Sequence, residues 1–130
     1  MKALFKPYLI ALLVMGLLDA MWLGVLARDF YRQEIGVQMV AQVRWLPAAL
    51  FYFGYPAALV VLALLPAGQP RPHQVARAAL VGLVGYGVYD ASNLATLQFW
   101  TAKLAVVDTA WGVFASTLAG AAASAARQPA

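Results

Sequence analysis

A chain of 130 residues has room for one compact domain. Yet 64% of its residues are hydrophobic and only 11% charged, where soluble domains average about 45–50% and about 25%, so the solvent this composition suits is lipid. The absence of cysteine removes disulfide frameworks and thiolate metal sites, and the net charge of +4 comes from nine Lys and Arg scattered without a run, which argues against nucleic acid as a partner.

Apolar stretches close to the ~20 residues that cross a bilayer occupy residues 8–27, 45–65, 75–98 and 102–123. They predict an all-α fold: an integral membrane four-transmembrane-helix bundle, with residues 1–130 forming a single membrane domain. The first stretch follows Lys2 and Lys6, and Val25-x-Ala27 loosely resembles a signal-peptide cleavage site. It is longer than the ~7–15 residue apolar region of a signal peptide, and Asp19 interrupts it, so it is expected to be retained as a span. Residues 28–44 mix charges with Phe30, Tyr31, Ile35, Val37, Met39 and Val40. That mixture suits a helix extension ending near Gly36 followed by an interfacial segment, a loop lying on the membrane surface. Residues 66–74 hold three prolines and a glycine and read as an aqueous turn. His73, the only histidine, lies there as a solvated residue rather than a ligand. Residues 99–101 are too few for anything but a tight link between antiparallel neighbours, with Thr101 as N-cap of the fourth helix.

Lys2, Lys6, Arg71, Arg77 and Arg127 share one side of this topology; Arg28, Arg32, Arg44 and Lys103 share the other. The second side also carries Asp29 and Glu34. The positive-inside rule then leans towards both termini in the cytoplasm. Trp22, Trp45 and Trp100 fall near the outer ends of their helices, as interface aromatics do.

Asp19, Asp90 and Asp108 lie inside predicted spans. Counting about 1.5 Å per residue from the outer helix ends puts all three roughly 9–12 Å below the same boundary. Asn93 shares nearly one face with Asp90, Tyr86 lies one turn before it, and Tyr89 flanks that face. The second helix supplies Tyr52 and Tyr55 at a comparable depth, as donors for carboxylates. Trp22 and Trp111 each follow an Asp by three residues, where an indole N–H can reach the carboxylate. Each Asp facing lipid costs roughly 2.5–3.5 kcal/mol, so the three should face the bundle interior. No Lys or Arg lies well inside a span to neutralise them; shared protons or a bound cation are the two direct solutions. Three acids at one depth favour a proton-relay or cation-binding site over protonated Asp side chains merely bonded to Asn93 and tyrosines. A magnesium, manganese or calcium site of Asp19, Asp90, Asp108 and Asn93 is chemically open, and no cofactor is required.

Four-residue steps from Asp108 reach Gly112, Ser116, Gly120 and Ser124, a small-residue stripe that lets another helix approach closely. Ala78, Gly82 and Gly85 form a weaker counterpart on the third helix. The two stripes either pack together or mediate self-association, so a homodimer or a membrane-protein partner enters the expectations beside the lipid bilayer. The two Asp-x-x-Trp motifs point in opposite directions in space, as inverted transporter repeats would; in a Trp-rich chain the match reads as coincidence. Nucleophilic catalysis has no support, since there is no Cys, no GxSxG and no Gly-rich phosphate loop.

AspAlaMetTrpLeuGly in the first helix, with ArgAspPheTyr after it, TyrAspAlaSerAsnLeuAlaThrLeu in the third and ValValAspThrAlaTrpGly in the fourth together resemble the bacterial inner-membrane family catalogued as domain of unknown function 2177. The likeness covers nearly the whole chain. It implies a multi-pass membrane protein and brings no catalytic residues. The leading functional expectation is a small proton- or cation-coupled transporter or ligand-binding protein built on the Asp cluster. A non-catalytic assembly subunit using the Gly112, Ser116 and Gly120 face comes second. A membrane enzyme acting on a lipid or quinone, using the same carboxylates as acid and base, comes third.

Overall fold

The computed structural model describes residues 2–36 and 44–127. Among the described residues five α-helices follow one another: α1 (Lys2–Met21), α2 (Arg28–Ile35), α3 (Trp45–Leu64), α4 (Arg71–Thr96) and α5 (Ala102–Arg127). A π-helical turn, Trp22–Leu26, joins α1 to α2. Three segments, Ala3–Leu26, Trp45–Leu64 and Ala102–Arg127, are long and apolar enough to cross a membrane. The fourth predicted span falls on α4, which is as long as α5 but carries Arg71, His73, Arg77 and Asp90 and is not among the three.

The closest packing joins α4 to α5, which run antiparallel. A Cβ on Gly82 would sit 2.7 Å from the Gly112 carbonyl oxygen and from Ser116 Cβ, one on Gly120 would meet Ala78 Cβ, and one on Gly112 would enter the Tyr86 ring. The α5 stripe and the Ala78 and Gly82 part of the α4 stripe thus pack against each other, while Gly85 is exposed and faces Tyr55 across a cavity. Gly112, Ser116 and Gly120 are buried under α4, so the helix this face meets here is α4 of the same chain. Lower in the same seam Ser124 donates to Gln74 Oε1, satisfying two buried polar side chains at once.

The lower core is made of Leu4, Ala11 and Met15 from α1, Leu59, Val60, Ala63 and Leu64 from α3, and Ala115, Ala119 and Ala123 from α5. Small α5 residues let the large ones from α1 and α3 fill the space between the axes. Only the second half of α3 joins this core; Trp45, Leu46, Leu50, Phe51 and Phe53 of its first half are exposed. Pro56 lies at the junction of the two halves, where it lacks the N–H that would bond the Tyr52 carbonyl. An exposed surface so rich in Leu, Val and Phe is suited to hydrocarbon.

One of the boundaries expected from the sequence differs, and two are met. The predicted turn at 66–74 is shorter, because α4 begins at Arg71 and takes in Pro72 and His73; proline is tolerated in a first turn, whose N–H groups have no intrahelical acceptor. Thr101 caps α5 as expected, its Oγ1 accepting from the Leu104 N–H at 3.0 Å. The expected helix extension does end at Gly36, whose φ of 62° closes α2 as left-handed glycines do. It is not a plain surface element, however. The π turn breaks the line of α1 at Ala27, and Ala27, Tyr31 and Leu104 make a second small core with Trp22, Phe30, Ile35 and Trp100 around it. The expected interfacial segment beyond Gly36 lies, for residues 37–43, outside the described residues.

Candidate functional site

Because the first half of α3 stands away from the other helices, a cavity of about 680 Å³ opens in the upper half of the bundle, the half that holds Trp100 and the start of α5. Its α1 side holds Asp19 and Trp22, and its α5 side Asp108 and Trp111. α3 contributes Phe51, Tyr52 and Tyr55; α4 contributes Tyr86 and Tyr89; and Tyr31 of α2 closes the top. Eight of the ten side chains singled out in the sequence therefore face one space. Among the described residues no Lys, Arg or His lines it.

The two carboxylates are oriented by donors, and the donors cross over. Trp111 Nε1 donates to Asp19 Oδ1 at 2.9 Å, so the indole of the second Asp-x-x-Trp motif serves the acid of the first. Trp22 Nε1 donates to the Tyr31 hydroxyl at 3.0 Å, and that hydroxyl donates to Asp108 Oδ1 at 2.7 Å. The first motif thus reaches the acid of the second through one phenol. The two indoles stack face to face, with ring centroids 4.4 Å apart and planes 4° from parallel. Antiparallel α1 and α5 make this reciprocity, since each Trp sits one turn beyond its own Asp and is carried towards the other. Burial pushes the Tyr31 phenol up, and the adjacent Asp108 carboxylate adds to the rise. Its O–H therefore stays on as a donor.

Tyr55 shares a 2.6 Å hydrogen bond with Ser116 Oγ and stands edge-on to Tyr86, with ring centroids 5.7 Å apart. Its ring also stacks near Phe51, centroids 5.8 Å apart. These contacts hold the rings in fixed orientations around the opening.

Asp90 and Asn93 do not line the cavity. Asp90, 1% exposed, is turned into the α4–α5 seam, where Thr109 Oγ1 donates to its Oδ2 at 3.0 Å. It stands behind Asp108, the neighbouring carboxyl that interacts with it most directly, and beside the Trp100 indole. Asp90 Oδ1 and Trp100 Nε1 are the two buried side-chain polar atoms without a partner among the described residues. Asn93 is half-buried, one turn beyond Tyr89. Asp19, Asp90, Asp108 and Asn93 accordingly do not converge as one ligand set. Among the described residues no three His, Asp or Glu side chains are placed to hold a metal ion together.

Sequence reasoning missed Tyr31, Phe51, Thr109 and Trp100 as members of this region. Tyr31 had a signal in the four-residue spacing Ala27, Tyr31, Ile35, one buried stripe on an otherwise charged helix. Phe51 lies one turn before Tyr55, on the same face. The roles of Thr109 and Trp100 depend on which way Asp90 turns, which depth counting does not specify.

Neither characterised proteins nor solved structures gave a match to the chain. The family described as Predicted membrane protein (DUF2177) matches residues 4–125, a stretch that takes in both Asp-x-x-Trp motifs and every helix that lines the cavity. The chain belongs to that family of predicted membrane proteins.

Proposed function

We propose that the protein is a small membrane-embedded binding or transport protein for positively charged species, with Asp19 and Asp108 as the acceptor groups. The observation that carries this reading is a cavity of about 680 Å³ whose wall, among the described residues, holds two carboxylates and no basic side chain. A fixed negative charge with no cationic partner inside a low-dielectric bundle attracts a proton or a cation strongly.

The same proposal makes α4 a fourth span within a single domain, with both termini on the cytoplasmic side. At about 1.5 Å per residue its 26 residues exceed the ~30 Å of bilayer hydrocarbon. Its outward side chains, Leu80, Leu83, Val84 and Val88, are exposed and apolar. Its polar groups are turned inward or towards the lower end: Gln74 and Asp90 are buried in the seam with α5, and Arg77 donates to Gln69.

Charge displacement in proteoliposomes after a step in proton or cation concentration tests the reading. Wild type should give a transient current. Asp19→Asn and Asp108→Asn, which keep the side-chain shape, should abolish it without changing the helical circular-dichroism signal, and Asp108→Glu should retain it. Currents of wild-type size in both Asn variants would overturn the proposal, as would a wild type without any.

A further inference from the structure

We propose that the ligand of this cavity is an organic cation carrying apolar groups, such as an alkyl- or aryl-ammonium, rather than a metal ion. The inference rests on the cation-site reading above and adds the chemical class. Size is the first argument. About 680 Å³ lies within the ~300–1,000 Å³ of sites for drug-sized molecules, far more than a bare ion fills.

The wall is the second. Eight of the fourteen lining residues are aromatic, and Phe51, Tyr52, Tyr55 and Tyr86 put rings on the two helices that face the acid-bearing pair. An aromatic face attracts a weakly hydrated cation through its quadrupole, the mode used for quaternary ammonium groups. The same rings supply apolar contact for the substituents.

The third argument is the ligand count. A hard divalent cation takes six or more oxygens at short range. Here the cavity offers two carboxylates, each with one oxygen already accepting a hydrogen bond, from Trp111 and from Tyr31, and the third Asp of the region lies behind the wall. Two acids can balance the charge of an organic cation at a distance; they do not by themselves build a calcium shell, and magnesium would have to bring most of its waters into a space walled mainly by rings. Leu23, Phe51 and Tyr89 on the rim are exposed, so an amphiphilic cation already partitioned among lipid chains reaches the cavity through apolar surface.

The experiment titrates benzyltrimethylammonium into the full chain in nanodiscs, with quenching of tryptophan fluorescence as readout. Neopentylbenzene, its uncharged isostere, and magnesium and manganese chlorides are titrated in parallel. The ammonium should bind saturably and the isostere about 30-fold or more weakly, the loss expected when one partner of a buried charge pair is removed. Asp108→Asn should weaken the ammonium similarly. Phe51→Leu, which removes a ring that makes no hydrogen bond, should weaken it about 2- to 30-fold. Equal binding of the isostere, or an unchanged affinity in Phe51→Leu, would overturn the organic-cation assignment. Magnesium or manganese binding in place of the ammonium, lost in Asp108→Asn, would overturn it too while leaving the cation-site reading standing. Binding of no cation at all, with Asn variants indistinguishable from wild type, would overturn both.

Discussion

Tyr31→Phe removes a single oxygen, the one through which Trp22 of the first Asp-x-x-Trp motif reaches Asp108 of the second. The hydroxyl accepts from Trp22 Nε1 and donates to Asp108 Oδ1, in a side chain 8% exposed. Its loss leaves an indole N–H and a carboxylate oxygen unpaired at once. A hydrogen bond to a charged group contributes about 1.5–3 kcal/mol in water-soluble proteins, whereas interhelical bonds in membranes average ~0.6. The pair sits at the upper end of the bundle, between those settings, so about 1–3 kcal/mol is expected. The apolar contacts of Ala27 and Leu104 remain, so the effect falls on docking of α2 rather than on the bundle. That energy corresponds to a change of about 5- to 150-fold in the equilibrium between docked and undocked α2. The chain has no cysteine, so Leu104→Cys, beneath α2 and 0% exposed, provides a single thiol. Its labelling by a water-soluble maleimide should accelerate by that factor when Tyr31→Phe is added, and should not when the exposed Gln33 is replaced by Ala. An unchanged labelling rate would show that the phenol does not hold α2 in place.

The glycine seam should be intolerant in proportion to what a side chain meets: Gly112→Leu enters the Tyr86 ring and should lower the thermal midpoint in detergent far more than Gly16→Leu, where nothing lies within 4 Å. A seam that absorbs Gly112→Leu without loss would mean that α4 and α5 are farther apart than described. Thr109→Val leaves Asp90 without its one donor and should cost about 1–3 kcal/mol, with Thr109→Ser close to wild type; equal stability of Val and Ser variants in reversible unfolding would refute this. Ser124→Ala and Gln74→Leu each break one buried bond, so a double-mutant cycle should return a coupling near ~0.6 kcal/mol, and strictly additive losses would refute the pairing.

Much of this site was legible in the sequence because depth along a helix is nearly a linear count. Rise per residue places Asp19 and Asp108 at one level without knowledge of the fold, and the tyrosines of the second and third helices followed by the same counting. Rotation about the axis is the harder coordinate. Asp90 shares the predicted level yet is turned some way round from Tyr86, into the seam beside Thr109, whereas Tyr86 rests on Gly112 and reaches the cavity. Two neighbours in one helix thus serve different spaces, Tyr86 the cavity and Asp90 the interface behind it. Tyr31 was hidden for another reason: the π turn at Trp22–Leu26 adds the angle that folds α2 back over the bundle, and nothing in its composition announces a π rather than an α turn. The repeated Asp-x-x-Trp shows what antiparallel packing does with a local pattern. Read along one helix, each Trp belongs to its own Asp; placed side by side in opposite directions, the indoles exchange acids and stack. A substitution in either motif is therefore felt first by the carboxylate of the other, so Trp111→Phe should disturb Asp19 chemistry before that of Asp108, three residues away in its own chain.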